Sequence, residues 1–142
     1  MFGSERLTRR FATALLLSGP AILADDRLDA ALKRLASVET FAFGGVGYAG
    51  KTSKGEIDLK FVLSQPAPAA LAAFEKLYAD GNPQARCYAL CGIRKLRPSR
   101  FKELLGAAAA SADPVQVMSG CIISHELLRK VAEEIDRGQF QL

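Results

Sequence analysis

No stretch of this chain holds the roughly 20 consecutive apolar residues that a membrane-spanning helix needs. Its longest apolar region, residues 11 to 23, is broken by Thr13, Ser18, Gly19 and Pro20. No run of strictly alternating apolar and polar residues marks a convincing β-strand. Cysteine is sparse and odd in number: Cys87, Cys91 and Cys121 leave at least one thiol unpaired within a monomer. The four-residue spacing of Cys87 and Cys91 is not the tight knuckle of structural zinc, and a bridge between them would distort a helix. No metal is therefore expected, even with His125 as a conceivable fourth ligand. Burial of all three thiols as small hydrophobes is the leading expectation; a bridge from Cys121 to one of the others is the alternative in an oxidising compartment. No catalytic motif stands out, and no cofactor is expected. Acidic residues are missing from residues 86 to 102, which hold six basic side chains.

The first 24 residues read as an export leader. Arg6, Arg9 and Arg10 against Glu5 form a positive n-region, an apolar region follows, and Ile22 and Ala24 fall at the positions before a cleavage site. Thr8-Arg9-Arg10-Phe11 resembles the opening of a twin-arginine export signal, without the phenylalanine and leucine expected after one spacer. On this reading the mature protein begins near Asp25, is exported or periplasmic, and keeps no stable membrane span after processing. The competing reading makes Glu5 to Leu17 an amphipathic first helix ended by the Gly19-Pro20 punctuation, with a cytoplasmic protein as the consequence.

At 142 residues with 49% hydrophobic content, the chain fits one domain that folds without staples. Leu28, Leu32, Leu35 and Val38 recur at three to four residues, as on one face of a helix capped by Asp25 or Asp26. Ser53 with Glu56 makes a capping box ahead of Ile57, Phe61 and Val62. Pro68 starts a helix through Tyr78, and Asn82-Pro83 starts another through Ile93. Phe101 to Ala110 reads as a further helix, and the last runs from about Ser124 to Arg137 with Gly138 as its stop. The segment Asn82-Pro83-Gln84-Ala85-Arg86-Cys87-Tyr88-Ala89-Leu90-Cys91-Gly92-Ile93 resembles the second half of a HEAT-type helical repeat. That resemblance covers residues 82–93, with no second copy near a 40-residue period. It implies a stack of antiparallel helices that presents a surface. The expected fold is all-α: residues 25–142 as a single compact domain of five or six short antiparallel helices, HEAT-like in packing.

Three groups of residues are candidates for function. Gly44, Gly45, Gly47 and Gly50 suggest a tight turn between helices; a phosphate loop is the alternative, with Lys51 and Thr52 close by, and is set aside because no β-strand convincingly precedes the segment. Cys121 and His125, four apart, would face each other across one helical turn as a thiol and its base; a core cysteine beside a partly exposed histidine is the plainer reading. Arg94, Lys95, Arg97 and Arg100 crowd around Pro98 and Lys102 follows them, with Arg86 earlier in the same basic run. Such a basic cluster suits a solvated turn, a docking patch for an acidic protein partner, or nucleic-acid phosphates, the last weakened by Phe101 being its only interleaved aromatic. The function expected is a non-enzymatic protein-interaction or inhibitor-like domain with an acidic protein partner. A small cysteine-dependent enzyme using Cys121 and His125, and a nucleic-acid-binding module, are the alternatives.

Overall fold

The computed structural model describes residues 19–142. Residues Ala31–Leu142 form one compact unit. The n-region and most of the apolar stretch read as an export leader lie outside the described residues. Gly19 and Pro20 open a helix, α1 (Gly19–Ala36), rather than ending one, and Asp25 and Asp26 fall inside it rather than at its cap.

After α1 come three two-residue strands, β1 (Phe41–Ala42), β2 (Gly45–Val46) and β3 (Lys51–Thr52), and then four helices: α2 (Lys54–Leu63), α3 (Ala67–Asp80), α4 (Pro83–Leu96) and α5 (Pro98–Ala108). The chain closes with β4 (Pro114–Ser119), β5 (Ile122–Leu127) and α6 (Leu128–Asp136). The fold is thus mixed α/β with two sheets, and the expectation of an all-α, HEAT-like stack is corrected. One sheet has the order β1-β4-β5, with β1 parallel to β4 and β5 antiparallel to it; the other is the antiparallel hairpin β2-β3.

Helix α4 is the centre. Ala85 and residues 87 to 93 are all buried, and α4 packs against α2, α3, α5, α6, β1 and β4. A helix covered on nearly every side needs neighbours at close range, and its small residues Ala85, Cys87, Ala89, Cys91 and Gly92 provide that room. Gly92 lies against the ring of Phe74 on α3, where an added Cβ would overlap ring carbons. The start of α4 follows the sequence expectation. Asn82 Oδ1 accepts from the Ala85 N–H at 2.8 Å, Pro83 occupies the first turn, and Asn82 Nδ2 donates to the Val38 carbonyl at 2.8 Å, tying the chain after α1 to α4.

The last helix expected from Ser124 is instead a strand followed by a shorter helix. In β4, Val115 and Val117 are buried while Gln116 and Met118 are partly exposed, a period of two that lasts too briefly to read from the sequence. Gly120 at φ 59 and Cys121 form the two-residue loop to β5; a glycine at positive φ in the first central position is the signature of a type II′ hairpin turn. A helix starting at Ser124 would forfeit the six-pair register from Pro114↔Leu127 to Ser119↔Ile122.

The glycine-rich segment is likewise a β-hairpin and not a turn between helices. Gly44, Gly47 and Gly50 have φ of 74, 71 and 61, a region that favours residues without Cβ. A Cβ on Gly45 would meet the Gly50 carbonyl oxygen at 3.0 Å. Ser53 caps α2 by accepting from the Glu56 N–H at 3.1 Å. Glu56 does not complete the capping box: its Oε2 accepts from the Gly44 N–H at 2.9 Å and its Oε1 pairs with Lys60 at 2.9 Å. Ile57, expected on the apolar face of α2, is exposed, and Leu59 and Val62 point inward.

Candidate functional site

The basic run from Arg86 to Lys102 spans α4, the junction at Arg97 and α5. Arg94 and Lys95 occupy the last turn of α4, where cations complement the negative end of the helix dipole. Arg97 joins the two helices: its N–H donates to the Ile93 carbonyl at 2.7 Å, its carbonyl accepts from the Phe101 N–H at 3.1 Å, and its side chain is exposed.

Half of the run is held by carboxylates of this same chain. Arg86 Nη1 lies 3.3 Å from Asp113 Oδ2. Arg100 donates from Nε to Glu75 at 2.6 Å and from Nη1 to Glu103 at 2.8 Å, and Lys102 reaches Asp136 at 2.7 Å. The bonds to Glu103 and Glu75 hold the Arg100 guanidinium above its usual range. Among the described residues, Arg94, Lys95 and Arg97 have no carboxylate partner; Arg94 Nη2 donates only to the Asp136 backbone carbonyl, at 3.4 Å. Arg94 and Lys95 border a cleft of 320 Å³ whose lining includes Ile135, Phe140, Leu142 and Cys91. Phe140 in turn packs on Phe41 at 4.9 Å and Phe43 at 5.5 Å between ring centroids.

The thiols divide differently from the expectation that all are buried: Cys87 and Cys91 are buried, Cys121 is exposed, and all three are free. Cys121 and His125 are not brought together on a helix. Cys121 sits in the β4-β5 turn and His125 is in β5 opposite Gln116, so their separation follows a strand, on the order of 10 Å, and not one helical turn. Both are exposed.

Lys51 and Thr52, which follow Gly45 and Gly50 at the spacing of a phosphate loop, lie exposed in β3 and not at a helix start, and three of the four glycine amides are already committed. Gly44 N–H goes to Glu56, Gly47 N–H to the Gly120 carbonyl at 2.9 Å and Gly50 N–H to the Gly47 carbonyl at 3.2 Å. A carboxylate stands where an anion would need donors, which argues against a phosphate cradle. Among the described residues no group of three or more His, Cys, Asp or Glu side chains comes together as metal ligands, and no helix is long and apolar enough to cross a membrane.

Tyr88, on α4 and fully buried, was not a candidate from the sequence. Its hydroxyl accepts from the Ala42 N–H at 3.0 Å and donates to the Ala42 carbonyl at 3.0 Å. Ser53 Oγ donates to that same carbonyl at 2.9 Å. Gly55 leaves the space that the Tyr88 hydroxyl fills. A second cleft, of 470 Å³, lies beside this group, and of the two carboxylate residues that line it, Glu39 and Asp58, Asp58 is held by Arg34 through bonds of 2.8 and 3.0 Å.

Burial raises the thiols of Cys87 and Cys91, the Cys91 thiolate adding to the effect at Cys87 and Arg94 opposing it at Cys91. Burial also raises Tyr88, against its bond to Ser53. These groups bind protons more tightly when folded, so their contribution to stability is complete below the ordinary 9.0 of a thiol and 10.0 of a phenol and is lost as pH rises beyond those values. We expect the unfolding free energy to fall above about pH 9 by roughly 1.4 kcal/mol per pH unit for each buried thiol. Denaturant melts from pH 7 to 10 test this: a slope unchanged when Cys87 and Cys91 are both replaced by alanine would contradict it.

No family model matches the chain, and no curated protein or solved structure shows significant similarity to it.

Proposed function

We infer that this chain is a non-enzymatic protein-interaction domain that docks an acidic segment of a partner at Arg94, Lys95 and Arg97. The observation that carries the reading is the division of the basic run. Three cations are occupied by carboxylates within the domain, and the remaining three stand together at the α4–α5 junction, two of them on the rim of an apolar-walled cleft. Two cations beside an apolar wall suit a carboxylate-bearing peptide with an aromatic or aliphatic anchor, because the anchor supplies burial and the charges supply orientation and encounter rate.

Reversing Arg94, Lys95 and Arg97 together to glutamate is expected to slow association with an acidic peptide carrying a phenylalanine anchor by about tenfold or more at low salt. Folding stability should fall by about 1–2 kcal/mol, because glutamate at positions 94 and 95 opposes the dipole at the end of α4 and position 94 loses its bond to the Asp136 carbonyl, so association is compared on protein shown to be folded by circular dichroism. Arg100 is left out of the variant because reversing it would break the bonds to Glu75 and Glu103. Stopped-flow association at two salt concentrations, with the same variant used in co-purification from the native cell, tests the reading; unchanged association rates would refute it. Duplex DNA makes the comparison with nucleic acid: three unpaired cations correspond to a log-log salt slope of about −3, and binding with a far steeper slope would move the reading to nucleic acid. Turnover that vanishes on Cys121→Ser would move it to an enzyme.

A further inference from the structure

The three-stranded sheet has two edges, and the chain treats them differently. At β1 the outward N–H and C=O of Ala42 are both taken by the Tyr88 hydroxyl, with Ser53 adding a second donor to the carbonyl. That edge is closed. At β5 nothing else pairs among the described residues. Because Gly120-Cys121 is a two-residue loop, Ser119 and Ile122 are the hydrogen-bonded pair that closes it, and bonded pairs then alternate along the ladder. Ile122, Ser124 and Glu126 therefore face β4, while Ile123 and His125 turn their backbone groups outward. The side chains of Ile122 and Ile123 are 72% and 54% exposed. Natural sheets blunt such an edge with proline, lysine, a bulge or a covering element. Here residues 119 to 125 contain no proline and no Lys, Arg, Asp or Glu, and the six-pair register has no bulge.

We propose that the β5 edge pairs antiparallel with β5 of a second copy of this chain, about a two-fold axis through Ser124, making one six-stranded sheet across a dimer. Two outward-facing residues must oppose each other. An axis through Ile123 would run the pairing into the Gly120-Cys121 turn, and an axis through His125 would set the two histidines face to face. The axis through Ser124 avoids both and places Ile123 against His125 of the second copy, Ser124 against its own counterpart and Ile122 against Glu126 of the second copy. About four hydrogen bonds form between the chains, two in each bonded pair. The opposed segments carry no like charges against each other, so the net charge of +4 is not concentrated at the contact. The closed β1 edges end the sheet on both sides, and self-pairing therefore stops at two copies instead of extending into a fibre. The contact is separate from the basic cleft, and the proposal does not depend on the acidic-partner reading.

Sedimentation velocity of the full chain between about 1 and about 200 μM, the range suited to a small interface, is expected to show a monomer–dimer equilibrium. Ile123→Pro removes an outward N–H that the β4-β5 ladder does not use and is tolerated on an edge strand. It should raise the dimer dissociation constant by about tenfold or more, whereas Ile57→Lys, at an exposed isoleucine on α2, should leave it unchanged. The register has its own readout in the background Cys121→Ser: Ser124→Cys should cross-link two chains under mild oxidation, because opposed residues of a non-bonded pair lie about 4.5 Å apart. Ile122→Cys should not, its counterpart lying on the order of 13 Å away along the strand. A monomer throughout the concentration range overturns the proposal, as does a dimer that Ile123→Pro leaves intact or that Ser124→Cys fails to cross-link. A β5 edge protected from hydrogen exchange only by a strand from another protein overturns it too.

Discussion

Replacing Tyr88 by alanine is expected to lower the unfolding free energy by about 4 kcal/mol, the range for truncating a buried aromatic, which is a large share of a small domain's stability. Two losses combine. The ring is fully buried and packs edge-on against Phe41 at 4.8 Å between centroids and tilted against Phe43 at 5.6 Å, so its removal leaves a cavity. The hydroxyl also serves both polar groups of Ala42, and without it the buried N–H has no acceptor. Tyr88→Phe separates the two: it keeps the ring and forfeits the hydrogen bonds, and is expected to cost about 1–3 kcal/mol. Urea melts of the two variants give the split. A Tyr88→Phe protein as stable as the parent would mean that the hydroxyl does not close the β1 edge.

Gly92→Val is the second large effect, expected to destabilise by about 3 kcal/mol, the upper part of the range for overpacking. Glycine inside a helix ordinarily costs about 1 kcal/mol against alanine, so on propensity alone a larger residue would stabilise α4. Space decides the sign here. A Cβ at position 92 would overlap the Phe74 ring, and that ring is completely buried on α3, where close packing resists its displacement. The expectation is checked by a double-mutant cycle: Phe74→Leu is destabilising by itself, yet combined with Gly92→Val it should recover about 1 kcal/mol or more of coupling. Strict additivity would show that the clash is relieved elsewhere.

What could be read from the sequence was local. Asn82-Pro83 announces a helix start because cap and first-turn preferences reside in those two residues, and both act as expected. Ser53 and Glu56 announced a cap as well, but half of the box is redirected because Gly44, brought close by the hairpin, offers Glu56 another backbone donor. The β4-β5 hairpin was hidden for a physical reason. Ile122 and Ile123 are consecutive and both exposed, so β5 lacks the alternation that burial on one face imprints, and the spacing of Leu127, Leu128 and Val131 extends a helical pattern backwards across the strand. The basic run was visible as charge. Its division into bound and unbound members was not, since the carboxylates that hold Arg86, Arg100 and Lys102 come from Asp113, Glu75 and Asp136 on other elements. Tyr88 gave no signal, as one aromatic in an amphipathic segment is indistinguishable from any other core residue until β1 lies beside it.

The parallel pairing of β1 with β4 carries a consequence for synthesis. All of α2 to α5 intervenes, so β1 leaves the ribosome about 70 residues before its strand partner, a wait of roughly 4–14 s at cellular elongation rates. Tyr88 emerges well inside that interval and is the group that binds Ala42. The nascent chain is therefore expected to acquire the closed side of its sheet first, held by a helix, and β4 then docks on the remaining side as a late arrival. The β5 edge, unpaired among the described residues, exists only from that moment, which confines the exposure of pairing-competent backbone to the last stage of translation.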